Sequence, residues 1–258
     1  MQTRRHLQRL IAALALICWH SGSATGQAPA SILVFAAADL GPPFKRIVPD
    51  YERQTNVKVT LVLGSTGTLT QQIRNGAPAD VFFAANESYV QQLSAESLTL
   101  DQTRSLYARG QIVSVTLKSS ALRVETLNDL AKAEVKHIAI ANPTHAPYGL
   151  AAKQSLEAAG LWTAVANKLV YGENVQQAVQ FVRSGSVEAG IVARSVADTP
   201  DLSWTLVDER LHAPLNQTAV VLARTKQPHA STDFITFVNG IQGRLVMRQF
   251  GFLLPGEF

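Results

Sequence analysis

The chain has 258 residues, 23 of them basic and 19 acidic, for a formal net charge of +4, and it holds a single cysteine. That length allows one or two domains with their own cores, and one cysteine excludes an internal disulfide framework. Arg4, Arg5 and Arg9 account for most of the charge. Residues 1–30 contain no acid, and setting those three aside leaves 20 basic against 19 acidic residues. No basic run remains to track a phosphate backbone, so nucleic acid is not an expected partner.

The N-terminus reads as a secretory signal. After the three arginines, Leu10 to Trp19 is an apolar run of 10 residues, followed by small and polar residues from Ser21 to Ala28. Such a run is too short to span a bilayer, which takes roughly 20 residues, and the order of regions is that of a signal peptide over residues 1–26. Cleavage after Ala24 or Gly26 fits the small-residue rule. The only cysteine, Cys18, lies inside the apolar run behind Ile17, where a lipid anchor would want a small residue. The expected product is therefore a soluble periplasmic protein without cysteine. No later stretch is long and apolar enough to be a membrane span.

Beyond the signal, short β-branched runs alternate with amphipathic segments. Ile32–Ala36 reads as a buried strand, and Phe44, Ile47, Val48 and Tyr51 recur at helical spacing. Val57–Leu63 is a second strand. Leu69 and Ile73 share one face of a short helix that Gly76 ends. Val81–Ala84 is a third strand, and Val90 and Leu93 mark the next helix. Ile112–Thr116, His137–Ala141, Ala189–Ala193 and Ala219–Ala223 read as further strands. Tyr148–Glu157 and Val175–Ser184 read as helices, and one last helix runs from about Thr232 to Phe250. The alternation predicts an α/β fold with parallel sheets.

Four junctions lead into helices. Ala36-Ala37-Ala38-Asp39-Leu40-Gly41-Pro42-Pro43 ends a strand in small residues and starts a helix with proline. Gly64-Ser65-Thr66-Gly67-Thr68-Leu69 sets hydroxyls among the free amides of a helix start, a ready anion site. Asn142-Pro143-Thr144-His145-Ala146-Pro147-Tyr148-Gly149 and Gly172-Glu173-Asn174-Val175 open two more helices. Any one of them is explained by simple N-capping. Several in one α/β chain favour an anion site, because open sheets bind ligands at the carboxyl ends of their strands.

Other chemistries lack support. Gly64-Ser65-Thr66-Gly67 does not have the Gly-x-Ser-x-Gly spacing of a nucleophile elbow, and no P-loop occurs. His137, His145, His212 and His229 show no metal-ligand spacing and read as surface or core residues. Trp162 and Trp204 read as core or lobe-surface residues, and Glu188 and Asp198 as solvated loop positions. No cofactor and no metal is expected beyond a bound oxyanion.

Taken in order, Val34-Phe35-Ala36-Ala37-Ala38-Asp39-Leu40, the Gly64–Leu69 segment, Asn75-Gly76-Ala77-Pro78-Ala79-Asp80-Val81-Phe82, Pro147-Tyr148-Gly149, Gly172–Val175 and Ala189-Gly190-Ile191-Val192 make the chain resemble the periplasmic molybdate-binding proteins of ABC importers. The resemblance implies a class II periplasmic binding protein fold of two Rossmann-like α/β lobes with a hinge and a ligand cleft. Residues 30–108 plus 209–258 would form one lobe and 109–208 the other. It implies a monomer that delivers molybdate or tungstate to an inner-membrane ABC permease, without enzyme activity. Position by position, the oxyanion would be held by Asp39, Ser65, Thr66, Tyr148 and Val175. Tyr148 and Val175 would need only their backbone amides. Ala193 stands where some members carry a tyrosine donor.

Asp39 departs from the family pattern, which has serine there. An ionised carboxylate only accepts hydrogen bonds and repels an anion. It can turn away to cap the following helix, it can be protonated, or the ligand can be a protonated oxyanion. Three other readings stay open: a binder of another small oxyanion or acid chosen by Asp39, a hydrolase on the same scaffold, and a sensory ligand-binding module.

Overall fold

A computed structural model describes residues 30–258; the signal peptide expected over residues 1–26, and Cys18 within it, lie outside the described residues. In chain order the elements are β1 (Ser31–Ala37), a 3-10 turn (Ala38–Leu40), α1 (Gly41–Thr55), β2 (Lys58–Gly64), α2 (Thr66–Arg74), β3 (Val81–Ala84), α3 (Glu87–Ala95), β4 (Thr99–Gly110) and β5 (Ile112–Leu117). There follow β6 (Ile138–Ala141), α4 (Pro147–Ala158), α5 (Trp162–Val165), β7 (Leu169–Gly172), α6 (Val175–Arg183), β8 (Ala189–Ala193), α7 (Arg194–Ala197), β9 (Leu202–Leu206), β10 (Leu215–Leu222), α8 (Pro228–Asn239) and α9 (Ile241–Gln249).

The strands form two five-stranded sheets, ordered β2-β1-β3-β10-β4 and β7-β6-β8-β5-β9. The chain passes from the first to the second through Gln111 and returns between Leu206 and Leu215. This is the two-lobed α/β fold of class II periplasmic binding proteins. The sheets are mixed rather than parallel, which corrects the sequence expectation. β1 runs parallel to β2 and β3, and β6 parallel to β7 and β8. β10 is antiparallel to β3 and β4, and β5 antiparallel to β8 and β9. The two antiparallel intruders flank the crossovers. A strand entering a sheet from the other lobe arrives without a helical crossover, so nothing forces it parallel.

The period-two side-chain alternation of a strand explains the core. In β1, Ile32, Val34 and Ala36 enter one cluster, while Phe35 enters the cluster on the opposite face. Val81 and Phe83 of β3 divide from Phe82 and Ala84 in the same way. Phe44, Phe83, Tyr107 and Phe234 stack edge to face on the first side, with centroids 5.1 to 5.7 Å apart. Such pairs contribute roughly 0.5–1.5 kcal/mol beyond their buried area. They also set the position of Tyr107, which matters at the site.

Three strands went unread in the sequence: β4, β7 and β9. All three lie at sheet edges. The single last helix is in fact two. Gly240 adopts an extended conformation (φ −74°, ψ 173°) between α8 and α9. A Cβ on Gly243 would stand 2.2 Å from the Val238 carbonyl, so the close turn onto α8 needs glycine there.

One backbone contact positions half of the site. A Cβ on Gly149, in the first turn of α4, would lie 2.0 Å from the carbonyl oxygen of Ala141 at the end of β6. Neither partner is a movable side-chain tip. Gly149→Ala is therefore expected to cost at least the roughly 1–3 kcal/mol typical of overpacking, read as a lowered Tm in thermal unfolding.

Candidate functional site

The carboxyl ends of β1, β2, β6 and β7 point at one another across the two sheets. Each leads into a helical turn: Ala38–Leu40, α2, α4 and α6. A small cavity lies between them, lined by Ala37, Ala38, Asp39, Ser65, Thr66 and Tyr148, with Gly64, Ala85, Ala146, Pro147, Asn174 and Val175 completing the wall. The five residues expected to hold the oxyanion, Asp39, Ser65, Thr66, Tyr148 and Val175, therefore border one space.

The first amides of a helix have no intrahelical acceptor. Here the local caps are arranged so that particular amides stay bare. The Asn174 side chain accepts from the amides of Gln176 and Gln177, leaving that of Val175. Ala146 caps α4 and has no side-chain oxygen, so the amide of Tyr148 is not capped. Ala37 likewise offers no cap to the Ala38–Leu40 turn. At α2, Ser65 accepts from the Thr68 amide at 3.3 Å, and the Gly67 amide donates to the His145 carbonyl at 2.8 Å. The Thr66 hydroxyl oxygen accepts from the Ala85 amide at 3.1 Å, which leaves its hydrogen to donate. The result is a ring of neutral donors, each carrying the partial positive charge of a helix start.

Ser65 is placed differently from expectation. Its hydroxyl meets the Thr68 hydroxyl and His145 Nδ1, each at 2.8 Å. Thr68 in turn donates to Glu173 at 2.9 Å, and His145 Nε2 lies 3.7 Å from the same carboxylate. Ser65, Thr68, His145 and Glu173 thus form a latch over the cavity joining α2 to the second lobe. If the Ser65 hydrogen points to Thr68, His145 is the donor to Ser65, and the Ser65 hydroxyl has no hydrogen left for an anion.

Asp39 is fully buried. Its Oδ2 accepts from the Tyr148 hydroxyl at 2.8 Å and from Gln217 Nε2 at 2.7 Å. Gln217 Nε2 also donates to the Tyr148 oxygen at 2.8 Å, and Gln217 Oε1 accepts from the Tyr107 hydroxyl at 2.7 Å. Asp39 Oδ1 is buried without a partner. Burial pushes the carboxyl up to about 6, against the lowering effect of the Gln217 and Tyr148 donors and, less strongly, of the backbone amides of Asp39 and Leu40. The Tyr148 hydroxyl is held well above its ordinary value by burial and by the Asp39 charge, so it stays a donor. The Asp39 carbonyl accepts from the Ser195 hydroxyl at 2.8 Å, and Gln176 Nε2 donates to the Ala38 carbonyl at 2.8 Å.

Several sequence expectations change here. Tyr148 was assigned its amide alone, yet its side chain is 3% exposed and holds Asp39. Tyr107, Gln217 and Ser195 lie outside every junction that the sequence marks, while Glu173 lies within one. Gln217 carries a sequence signal only as part of the polar run Asn216-Gln217-Thr218 that opens the otherwise apolar β10. His145 is a latch residue rather than plain surface. Glu188 accepts from the amides of Lys136 and His137 rather than standing free. Ala193 is buried at the end of β8 and does not line the cavity. Trp162 and Trp204 pack partly buried against the second-lobe core, away from the cavity. Among the described residues, no cluster of three or more His, Cys, Asp or Glu side chains could hold a metal ion.

The chain matches a family model described as bacterial extracellular solute-binding protein over residues 32–253. It is 35% identical over 228 residues to the molybdate-binding protein ModA of Azotobacter vinelandii, covering 86% of this chain and 90% of that one. It is 29% identical to ModA of Rhodobacter capsulatus, covering 93% and 94%. The solved structure of the Azotobacter vinelandii periplasmic molybdate-binding protein superposes with a TM-score of 0.82 at 29% identity, over 87% of this chain and 99% of that one.

Because folding raises the Asp39 carboxyl from 3.8 to about 6, the native state holds a proton that the unfolded chain releases. Stability should fall as pH rises from 4 to 6 and stay lower above. Asp39→Asn removes that loss. Without ligand, the variant is expected to be more stable than the parent at pH 7.5, on the order of 1–3 kcal/mol. The gain should shrink below pH 6 and vanish near pH 4 in denaturant melts.

Proposed function

We propose, since this chain belongs to the family of bacterial extracellular solute-binding proteins, that it captures molybdate or tungstate outside the inner membrane and delivers it to an ABC permease. The observation that carries this reading is the ring of neutral donors at four converging helix starts. The Thr66 hydroxyl and the amides of Asp39, Tyr148 and Val175 face one small cavity, while neighbouring amides are already capped. A tetrahedral dianion presents acceptors on every side, and this ring presents donors from both lobes.

Capture needs no covalent step. Closing the lobes brings donors from α2 and the Ala38–Leu40 turn against those of α4 and α6 and excludes water. The latch of Ser65, Thr68, His145 and Glu173 favours the closed form. Release into the permease then requires that latch to open. No charged side chain supplies the affinity, so discrimination rests on the spacing of donors set for one ion radius. Sulfate, the smaller dianion, would leave some of them out of reach. An N-terminal signal would export the chain, and no helix among the described residues is long and apolar enough to cross a membrane.

Asp39 limits the choice of ligand. If ionised, its charge 4 Å from a dianion would oppose binding by about 8 kcal/mol at an effective dielectric of about 20. Either the carboxyl is neutral in the complex, or the ligand itself carries a proton. The second alternative favours another oxyanion, such as hydrogen phosphate.

A thermal-shift panel of molybdate, tungstate, sulfate, phosphate and chromate separates these readings. A ligand at a thousandfold excess over its Kd should add about 4 kcal/mol of stability, a clear rise in Tm. The expected responders are molybdate and tungstate, and silence to both would refute the reading. Thr66→Val, which keeps the backbone amide and removes the hydroxyl, is expected to weaken molybdate binding about ten- to a hundredfold, as for a lost hydrogen bond to a charged group. Titration calorimetry measures it.

A further inference from the structure

We propose that each oxyanion dianion captured brings one proton into the site, held on Asp39 Oδ1 and donated to a ligand oxygen, so that Asp39 couples dianion binding to pH. The inference rests on the molybdate reading above and specifies how the one acidic residue of the site takes part.

The hydrogens around Asp39 can be assigned one by one. The Tyr107 hydroxyl has a single hydrogen, and its shorter contact is with Gln217 Oε1, at 2.7 Å against 3.3 Å to the Ala84 carbonyl. This orients the Gln217 amide with Nε2 toward Asp39. The two Nε2 hydrogens serve Asp39 Oδ2 and the Tyr148 oxygen. The Tyr148 hydrogen then goes to Asp39 Oδ2. Oδ2 accepts two donors and has no room for a proton of its own. Oδ1 remains, buried and unpartnered, on a residue that lines the anion cavity. A bare oxygen of an ionised carboxylate would face a ligand that offers only acceptors. A hydroxyl at the same atom turns that clash into a donor.

No cation is arranged to keep the carboxyl ionised. The titratable group bonded to it is Tyr148 on α4, and Tyr107 on β4 lies one hydrogen bond further, through Gln217; both are neutral, and β10 carries no charged residue. On the surrounding elements the charges are turned elsewhere. Lys45 and Arg183 line an outer groove, with Arg183 paired to Asp201, and Arg46 bonds Gln249. Lys58 pairs with Glu52, Asp50 with Arg53, and Lys153 with Glu157. Arg194 bonds Gln111 and lies over Trp204, Arg109 bonds Asn216, and His145 belongs to the latch with Glu173. In keeping with this, burial holds the carboxyl at about 6 in the closed protein.

The balance is simple. Asp39 carboxylate, one proton from solvent and one oxyanion dianion combine, and release returns all three. The dianion raises the carboxyl further, so the complex binds more protons than the free protein between the two values. Lower pH therefore favours capture. Affinity should fall about tenfold per pH unit above pH 6 and level off below it. A ligand with its own proton, such as hydrogen phosphate, would instead donate to an ionised Oδ1 with no net uptake.

The test is titration calorimetry of the protein with sodium molybdate in buffers of different ionisation enthalpy. At pH 7.5 the expected uptake is close to one proton per ion bound, and Kd should weaken about tenfold per unit from pH 6.5 to 8.5. Asp39→Asn, whose amide donates without titrating, should take up no proton, show a flat Kd, and bind more tightly than the parent at pH 8.5. If the parent binds molybdate with no proton uptake and a flat Kd, the inference is overturned and the molybdate reading stands. If molybdate and tungstate fail to bind at any pH from 5.5 to 8.5, both are overturned. The proton count on the parent decides the matter even where the variant does not fold.

Discussion

The buried carboxyl of Asp39 is the constraint around which the rest of this site is arranged. It sits where β1 gives way to its first helical turn, it is fully enclosed, and its Oδ2 is held by a tyrosine from the other lobe and a glutamine from β10. A buried acid is tolerated only with donors around it. Supplying them ties together α4, β10 and, through Tyr107, the aromatic cluster behind β3 and β4. The same network passes Gly110, at the crossover out of β4, where any Cβ would stand 2.1 Å from the Tyr148 hydroxyl. Closing the lobes and packing the acid are thus one event.

Anion binding by such a site depends on what the local sequence declines to cap. Helix starts generally satisfy their first amides with Ser, Thr, Asp or Asn. Here Asn174 caps the second and third amides of α6 and leaves the first, Ala146 caps α4 with nothing, and the Gly67 amide is drawn off to His145. What is left is a set of amides from two lobes that only a shared acceptor can satisfy together. Each lobe alone would present half a shell. The observed family membership and the superposition on a molybdate-binding relative agree with a ligand of that kind.

Much of the fold was legible because its central strands are buried on both faces. β1, β3, β6 and β8 are short apolar runs, and each falls within a residue of where the pattern places it. The three strands that escaped are edge strands. β4 carries Asp101, Gln102, Arg104 and Ser105 on a half-exposed rim, β7 has four residues, and β9 is buried only at Leu202. An edge strand owes its existence to hydrogen bonds with a neighbour, and its own composition hardly records them. The parallel expectation failed for a related reason. It follows from helical crossovers within a sheet, and β5 and β10 enter their sheets from the other lobe.

At the site, local sequence determined which segments border the cavity. Gly64–Leu69, Asn142–Gly149 and Gly172–Val175 announce helix starts, and every predicted contact residue borders the one cavity. The α/β class and the acid at position 39 were equally plain from the chain alone. Only the tertiary structure decided what holds that acid, what the Tyr148 side chain bonds, and that Ser65 joins a latch. Those roles depend on partners 69 to 178 residues away in sequence. Hydrogen bonds between separate segments leave no periodicity and no spacing to read. They exist only once the two sheets have brought the segments together, and there each hydrogen can be given to one acceptor alone.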